Sequence, residues 1–189
     1  DGEGKQALDL VGESFAAVAP GFHFWRGQAL AGLGRLSEAV EEFSKELEHS
    51  TSTYHPEAAL TRSSLLFALN RPDDALAGLR PLAASQDPMI SVEARLREVE
   101  ILLDLQRSQQ AREIMPAVAE VPARLLPHAE FLEACLLLNE KQVSEAASRF
   151  ATLVSKPDGQ SLVRYHSAAI GLADSLNLQG DPARASDAL

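Results

Sequence analysis

The sequence predicts an all-α solenoid of about five helix-turn-helix repeats, and three columns of residues predict it. Alanine recurs as Ala39, Ala75, Ala111, Ala146 and Ala185, at steps of 36, 36, 35 and 39 residues. A large apolar residue follows each alanine by four positions: Phe43, Leu79, Met115, Phe150 and Leu189. A leucine precedes each by nine: Leu30, Leu66, Leu102, Leu137 and Leu176. Self-similarity with a period in the thirties, and helical spacing inside each unit, marks helix pairs that stack and bury one another's apolar faces. The whole of 1–189 therefore reads as one array.

Residues 5–19 read as the second helix of a preceding, truncated repeat, because Ala7, Val11, Phe15 and Val18 recur at three- and four-residue spacing. Pro20-Gly21 ends it. Repeat 1 spans 20–54. Its first helix covers 22–33 and closes at Leu33-Gly34; Ser37 is the expected N-cap of the second, which runs to about His49. Repeat 2 spans 55–87, with Pro56 in a first turn, where its missing N–H costs nothing. That helix runs to Leu69, and the chain restarts at Pro72-Asp73-Asp74. Repeat 3 (88–124) has helices at about 88–105 and 108–120, and repeat 4 (125–159) at about 127–139 and 143–155. The turn Lys156-Pro157-Asp158-Gly159 lengthens the last step. Repeat 5 (160–189) is incomplete, with a helix at 161–178 and a restart at Asp181-Pro182. Pro81 and Pro116 fall inside expected second helices and predict a kink or an early end at each. Alternation of the β kind competes nowhere.

Bulk composition excludes several classes. The formal net charge of −10 argues against nucleic acid, which needs a basic surface, and leans towards a basic partner. Lys/Arg runs suited to an anionic membrane are lacking, and no apolar run approaches the roughly 18 residues of a membrane span. Cys135, the single cysteine, reads as a small buried hydrophobe and leaves the redox compartment open. The chain opens at Asp1 in mid-pattern and closes at Leu189 with a helix barely begun, so both ends read as cuts through a longer array.

The columns resemble the tetratricopeptide repeat, whose pattern is W-x2-L-G-x2-Y, then A-x3-F, then P. The alanine column is complete, and leucine stands in the tyrosine place. The glycine place, twelve before each alanine, holds Gly27, Ser63, Val99, Ala134 and Ala173, mostly small, as close helix crossing requires. Two columns depart. The tryptophan place holds His23, Ala59, Arg95, Glu130 and Ala169, and the leucine place Arg26, Arg62, Glu98, Glu133 and Leu172. The resemblance implies a right-handed α-α superhelix whose first helices line a concave groove. Units slightly longer than 34 residues and the Leu33-Gly34-Arg35-x-x-Glu38-Ala39 phrasing resemble most the bacterial cell-envelope type, implying a periplasmic or envelope location over a cytoplasmic one.

Large apolar residues stand fifteen before each alanine: Phe24, Leu60, Leu96, Phe131 and Ile170. In the family that column faces the groove. Two readings stay open: the first helices rotate and take the column into the core, or the groove is apolar and takes a hydrophobic partner. The same face would carry Gln28, Ser64, Phe67, Glu100, Leu103, Cys135, Leu138 and Asp174. The family subset that grips acidic C-terminal tails uses lysines, an arginine and asparagines on the groove helices. Phe24, Gln28, Ser64 and Glu100 do not match that set.

No catalytic set emerges. The five histidines (His23, His49, His55, His128, His166) form neither HExxH nor a pair one helical turn apart, so they read as surface or helix-end residues rather than metal ligands. Gly32-Leu33-Gly34 reads as a helix-end turn, and Glu41-Glu42 and Asp73-Asp74 as helix-surface acids. No cofactor is expected. The expected function is a non-enzymatic protein–protein interaction scaffold that holds a peptide or helix of a partner in the groove, with self-association possible. The alternatives are a structural spacer or oligomerisation arm, or a substrate-docking region of a larger enzyme or regulator.

Overall fold

A computed structural model describes residues 21–49, 52–155 and 162–189. The expected helix 5–19 and the turn 156–159 lie outside the described residues. The backbone divides into two compact units, Asp1–Ser85 and Gln86–Leu189. In the first unit, α1 (Phe22–Gly32), α2 (Leu36–Glu48), α3 (His55–Ala68) and α4 (Pro72–Ala83) pack each against its neighbour in sequence. The second holds α5 (Pro88–Asp104), α6 (Ser108–Ile114), α7 (Leu126–Asn139), α8 (Val143–Ser155), α9 (Leu162–Leu178) and α10 (Pro182–Asp187). No strand occurs among the described residues.

One turn, used five times, makes the repeats. Five positions before each alanine the backbone is left-handed: Gly34, Asn70, Gln106, Lys141 and Gly180, with φ of 74, 59, 59, 64 and 79°. The next residue's N–H donates to the carbonyl of the leucine column: Arg35 to Leu30, Arg71 to Leu66, Arg107 to Leu102, Gln142 to Leu137 and Asp181 to Leu176, at 2.8–3.0 Å. The left-handed residue itself donates to the carbonyl three back, as in Gly34 to Ala31 and Lys141 to Leu138. These paired bonds are Schellman caps, which satisfy helix-end carbonyls and reverse the chain. The leucine column thus has two roles: its side chains fill the core and its carbonyls fix the turn.

The columns pack as their spacing requires. The five alanines are 0–3% exposed and the five leucines 0–6%. A fully buried leucine contributes about 1.5–3 kcal/mol through the apolar surface it removes from water. Small residues allow the close crossings, and at Gly171 on α9 a Cβ would stand 2.6 Å from the Phe150 ring of α8. The column four after alanine behaves less uniformly. Phe43, Leu79 and Phe150 are buried, but Met115 lies beyond the end of α6 and Leu189 is exposed as the last residue.

Two local expectations are corrected. Ser37 is not the cap of α2; the N-cap position is Arg35, without a side-chain cap bond, and Ser37 is already helical. The caps of the preceding turn leave Arg35 as the last non-helical residue, and its guanidinium holds Glu38 in the first turn instead. The helix expected at 108–120 ends at Ile114. Met115, with ψ 123°, is driven out of the helical region by the ring of Pro116. Short 3-10 turns at Val118–Glu120 and Ala123–Leu125 follow, anchored by buried Val121 and Leu125. Of the two outcomes expected at Pro81, the early end does not occur: α4 continues to Ala83 and buries Leu82 beyond the proline.

Candidate functional site

The fifteen-before column is largely interior. Phe24 is 4% exposed, Leu60 7% and Leu96 0%, so these side chains offer little surface to a partner. The packing supplies the reason. Phe24 meets the Phe43 ring of α2 edge-on, with centroids 5.9 Å apart and planes at 62°, and stacks on Tyr54 at 4.7 Å. Phe131 meets Phe150 of α8 in nearly the same way, at 6.0 Å and 61°. At Phe24 and Phe131 the column packs against the second helix of its own repeat. Phe131 stays half-buried, and Ile170 is 54% exposed. Of the flanking candidates in the first unit, Gln28 and Ser64 are exposed and Phe67 is half-buried. In the second, Glu100 and Asp174 are exposed, Cys135 is half-buried and Leu103 is in the core.

In the second unit the first helices of successive repeats are neighbours: α5 touches α7, and α7 touches α9. Phe131, Cys135 and Leu138 of α7 and Leu172 of α9 lie partly buried over one cluster containing Ala134, Leu137, Phe150 and Ala168. Beside this ridge, His128 Nε2 stands 3.8 Å from Glu100 Oε2. The Cys135 thiol is pushed up to about 12, first by burial and then by the charges of Asp104 and Glu100. A thiol held so far above neutral pH is protonated and a poor nucleophile. Asp104 is raised by burial alone. No group of three potential metal ligands occurs among the described residues.

The first unit carries an ionic cluster around a glutamate expected on the surface. Glu42, expected on the helix surface, is 5% exposed, and Glu46 is 2% exposed. One Glu42 oxygen lies 2.8 Å from His23 Nδ1, and the other accepts from Lys45 Nζ at 2.8 Å. Burial pushes the Glu42 carboxyl up, but the bonds to His23 and Lys45 outweigh it and hold it below the ordinary value. Glu46 accepts the N–H of Phe24 at 3.2 Å, in the first turn of α1, and also bonds the Ser52 hydroxyl. A carboxylate from α2 therefore caps α1 from outside. The missed signal is spacing: Glu42 and Glu46 continue the stripe of Ala39, Val40 and Phe43 at three- and four-residue steps.

Tetratricopeptide-repeat family models match residues 2–53 and 166–189. The chain carries tetratricopeptide-repeat sequence in these two stretches. The crystal structure of a tetratricopeptide repeat protein from Parabacteroides merdae has the same fold, with a TM-score of 0.74 at 19% identity, covering 99% of this chain and 71% of that one. No curated protein sequence matches the chain. Such repeats generally mediate protein–protein interaction and are generally non-catalytic. Among the described residues, no helix is long and apolar enough to cross a membrane.

Three of the departures from the tetratricopeptide pattern are paired. His23, in the tryptophan place, bonds Glu42. In the leucine place, Arg62 Nε donates to Ser44 Oγ at 2.8 Å, and Glu133 takes both its oxygens to Arg112 Nη1 at 2.8 and 2.7 Å. Polar residues thus stand where the family packs apolar ones, while the fifteen-before column supplies the apolar contacts.

Proposed function

We propose that the chain is a non-enzymatic interaction module that holds a peptide or helix of a partner protein against its first helices, in the concave groove expected of a tetratricopeptide solenoid. The observation that carries this reading is the apolar surface of the second unit. Ile170 is 54% exposed, and Phe131 and Cys135 are half-buried on the adjacent first helix. A large apolar side chain held open beside others is an anchor for a partner rather than a requirement of folding. Glu100 and Asp174 border the surface, and Gln28, Ser64 and Phe67 are the matching positions of the first unit. Leu96 and Leu103 of the second unit, like Phe24 and Leu60 of the first, are core residues.

Because Leu60 and Leu96 are core residues, charged substitutions there would unfold the chain, and Ile170 is the position to change. Peptides selected from a random library on the full chain should lose at least about tenfold in affinity for Ile170→Asp, the loss of one good apolar anchor. Selected peptides that bind I170D and the unmodified chain alike would reject this surface.

A further inference from the structure

We infer that the segment received by the second unit's first-helix face is basic and amphipathic, with Lys or Arg on both flanks of an apolar stripe. The inference rests on the binding role proposed above and adds the chemistry of the ligand. It comes from what surrounds the ridge. Along the end of α5, from Leu96 to Asp104, the exposed positions are Glu100 and Asp104, one helical turn apart. Across the ridge, on α9, exposed Asp174 follows exposed Ile170 by one turn. The ridge of Phe131, Cys135 and Leu138 therefore lies between carboxylates on both sides.

Two further observations give these charges weight. Glu100 and Asp104 both act on the Cys135 thiol, so their field reaches the apolar ridge itself. Asp104, although exposed, is raised by partial desolvation. An arriving ammonium or guanidinium group would offset it. In the second unit, positions eighteen, fifteen, eleven, eight and seven before each alanine hold no Lys or Arg. His128 beside Glu100 is the one basic side chain at these positions. An acidic segment would meet like charges there, and so would the same face of a second copy of a chain with net charge −10. Three neighbouring first helices at about 8–10 Å spacing make a face about 20 Å across, which a helical segment of some 14 residues would span.

The test uses the full chain and three synthetic peptides of about 18 residues, ~27 Å long as helices. All carry the same leucine stripe, flanked by Lys, Gln or Glu, and binding is followed by calorimetry at two salt concentrations. The Lys peptide should bind about tenfold tighter than the Gln peptide, and the Glu peptide most weakly. The Lys advantage should shrink with salt and vanish in the triple variant Glu100→Gln, Asp104→Asn, Asp174→Asn. A control triple, Glu41→Gln, Glu48→Gln, Glu113→Gln, removes the same charge elsewhere and should keep the preference. If the control loses as much, the attraction belongs to net charge and the inference falls. If Lys and Gln peptides bind equally and both are weakened by Ile170→Asp, the basic ligand is rejected while the binding surface stands. If no peptide binds, both readings fall together.

Discussion

At the scale of the residue, the repeat turn is where chemistry and sequence disagree most visibly. The same left-handed position is glycine at 34 and 180, but asparagine at 70, glutamine at 106 and lysine at 141. A side chain with a Cβ is strained in that region, and Gln and Lys lack the short local hydrogen bonding that eases Asn. Lys141→Gly should therefore stabilise the chain by about 1 kcal/mol, read as a higher urea midpoint with an unchanged m-value. A neutral or destabilising result would show that the Lys141 stem contributes packing that the turn geometry does not reveal.

The buried carboxylate Glu42 makes a second residue-scale prediction. Its carboxyl sits below the ordinary 4.5 in the folded chain, so its contribution is fully present above that value and disappears as pH falls through the depressed one. Glu42→Gln should be less stable than the unmodified chain at pH 7, and the difference should narrow as the pH drops below 4.5. Stability curves that stay parallel down to pH 3 would reject the charged network. These residues also show what a sequence conceals. Ala39, Ala75 and Leu66 were legible because size and period agree, whereas Glu42 and Glu46 obey the period with the wrong polarity. Only the partners, His23, Lys45 and the Phe24 amide, explain their burial.

At the scale of the element, helix order and most boundaries followed from periodicity and prolines, and α6 is the instructive exception. Its seven residues are too few to be stable alone. Buried Ala111 holds it, and so does Arg112, whose guanidinium reaches two glutamates of the α7 hairpin. It bonds Glu140 at 2.8 and 3.0 Å and Glu133 at 2.8 and 2.7 Å. The bonds to Glu140, then those to Glu133, raise the arginine further above its already high value despite burial. Lysine cannot reproduce a fork that serves two carboxylates. Arg112→Lys should cost about 1 kcal/mol, the group being part-exposed, and hydrogen exchange should quicken in 108–114 before the rest of the second unit. Unchanged exchange there would mean that Ala111 alone secures the helix. No sequence rule would have found this bridge, since Arg112 and Glu133 are 21 residues apart and belong to different repeats.

At the scale of the whole molecule, the same alanine, leucine and left-handed positions recur in both compact units, and this explains why the fold could be read without a structure. A period repeated five times averages out the local exceptions at Met115, Pro116 and Leu189. The binding surface was less legible, because the spacing that marks a groove column also marks a core column. Rotation of the first helices decides between them, and that depends on ring contacts such as Phe24 with Phe43. Ile170 and Phe24 occupy the same column, yet one is open and the other is enclosed.

Cys135 offers the most direct trial of the account, being the only cysteine in the chain and lying on the ridge between the carboxylates. The measurement is its rate of alkylation in the full chain, with and without a saturating library-selected peptide. The peptide should slow modification several-fold, and Ile170→Asp should raise the peptide concentration needed for that protection about tenfold. An alkylation rate unmoved by saturating peptide would contradict the account.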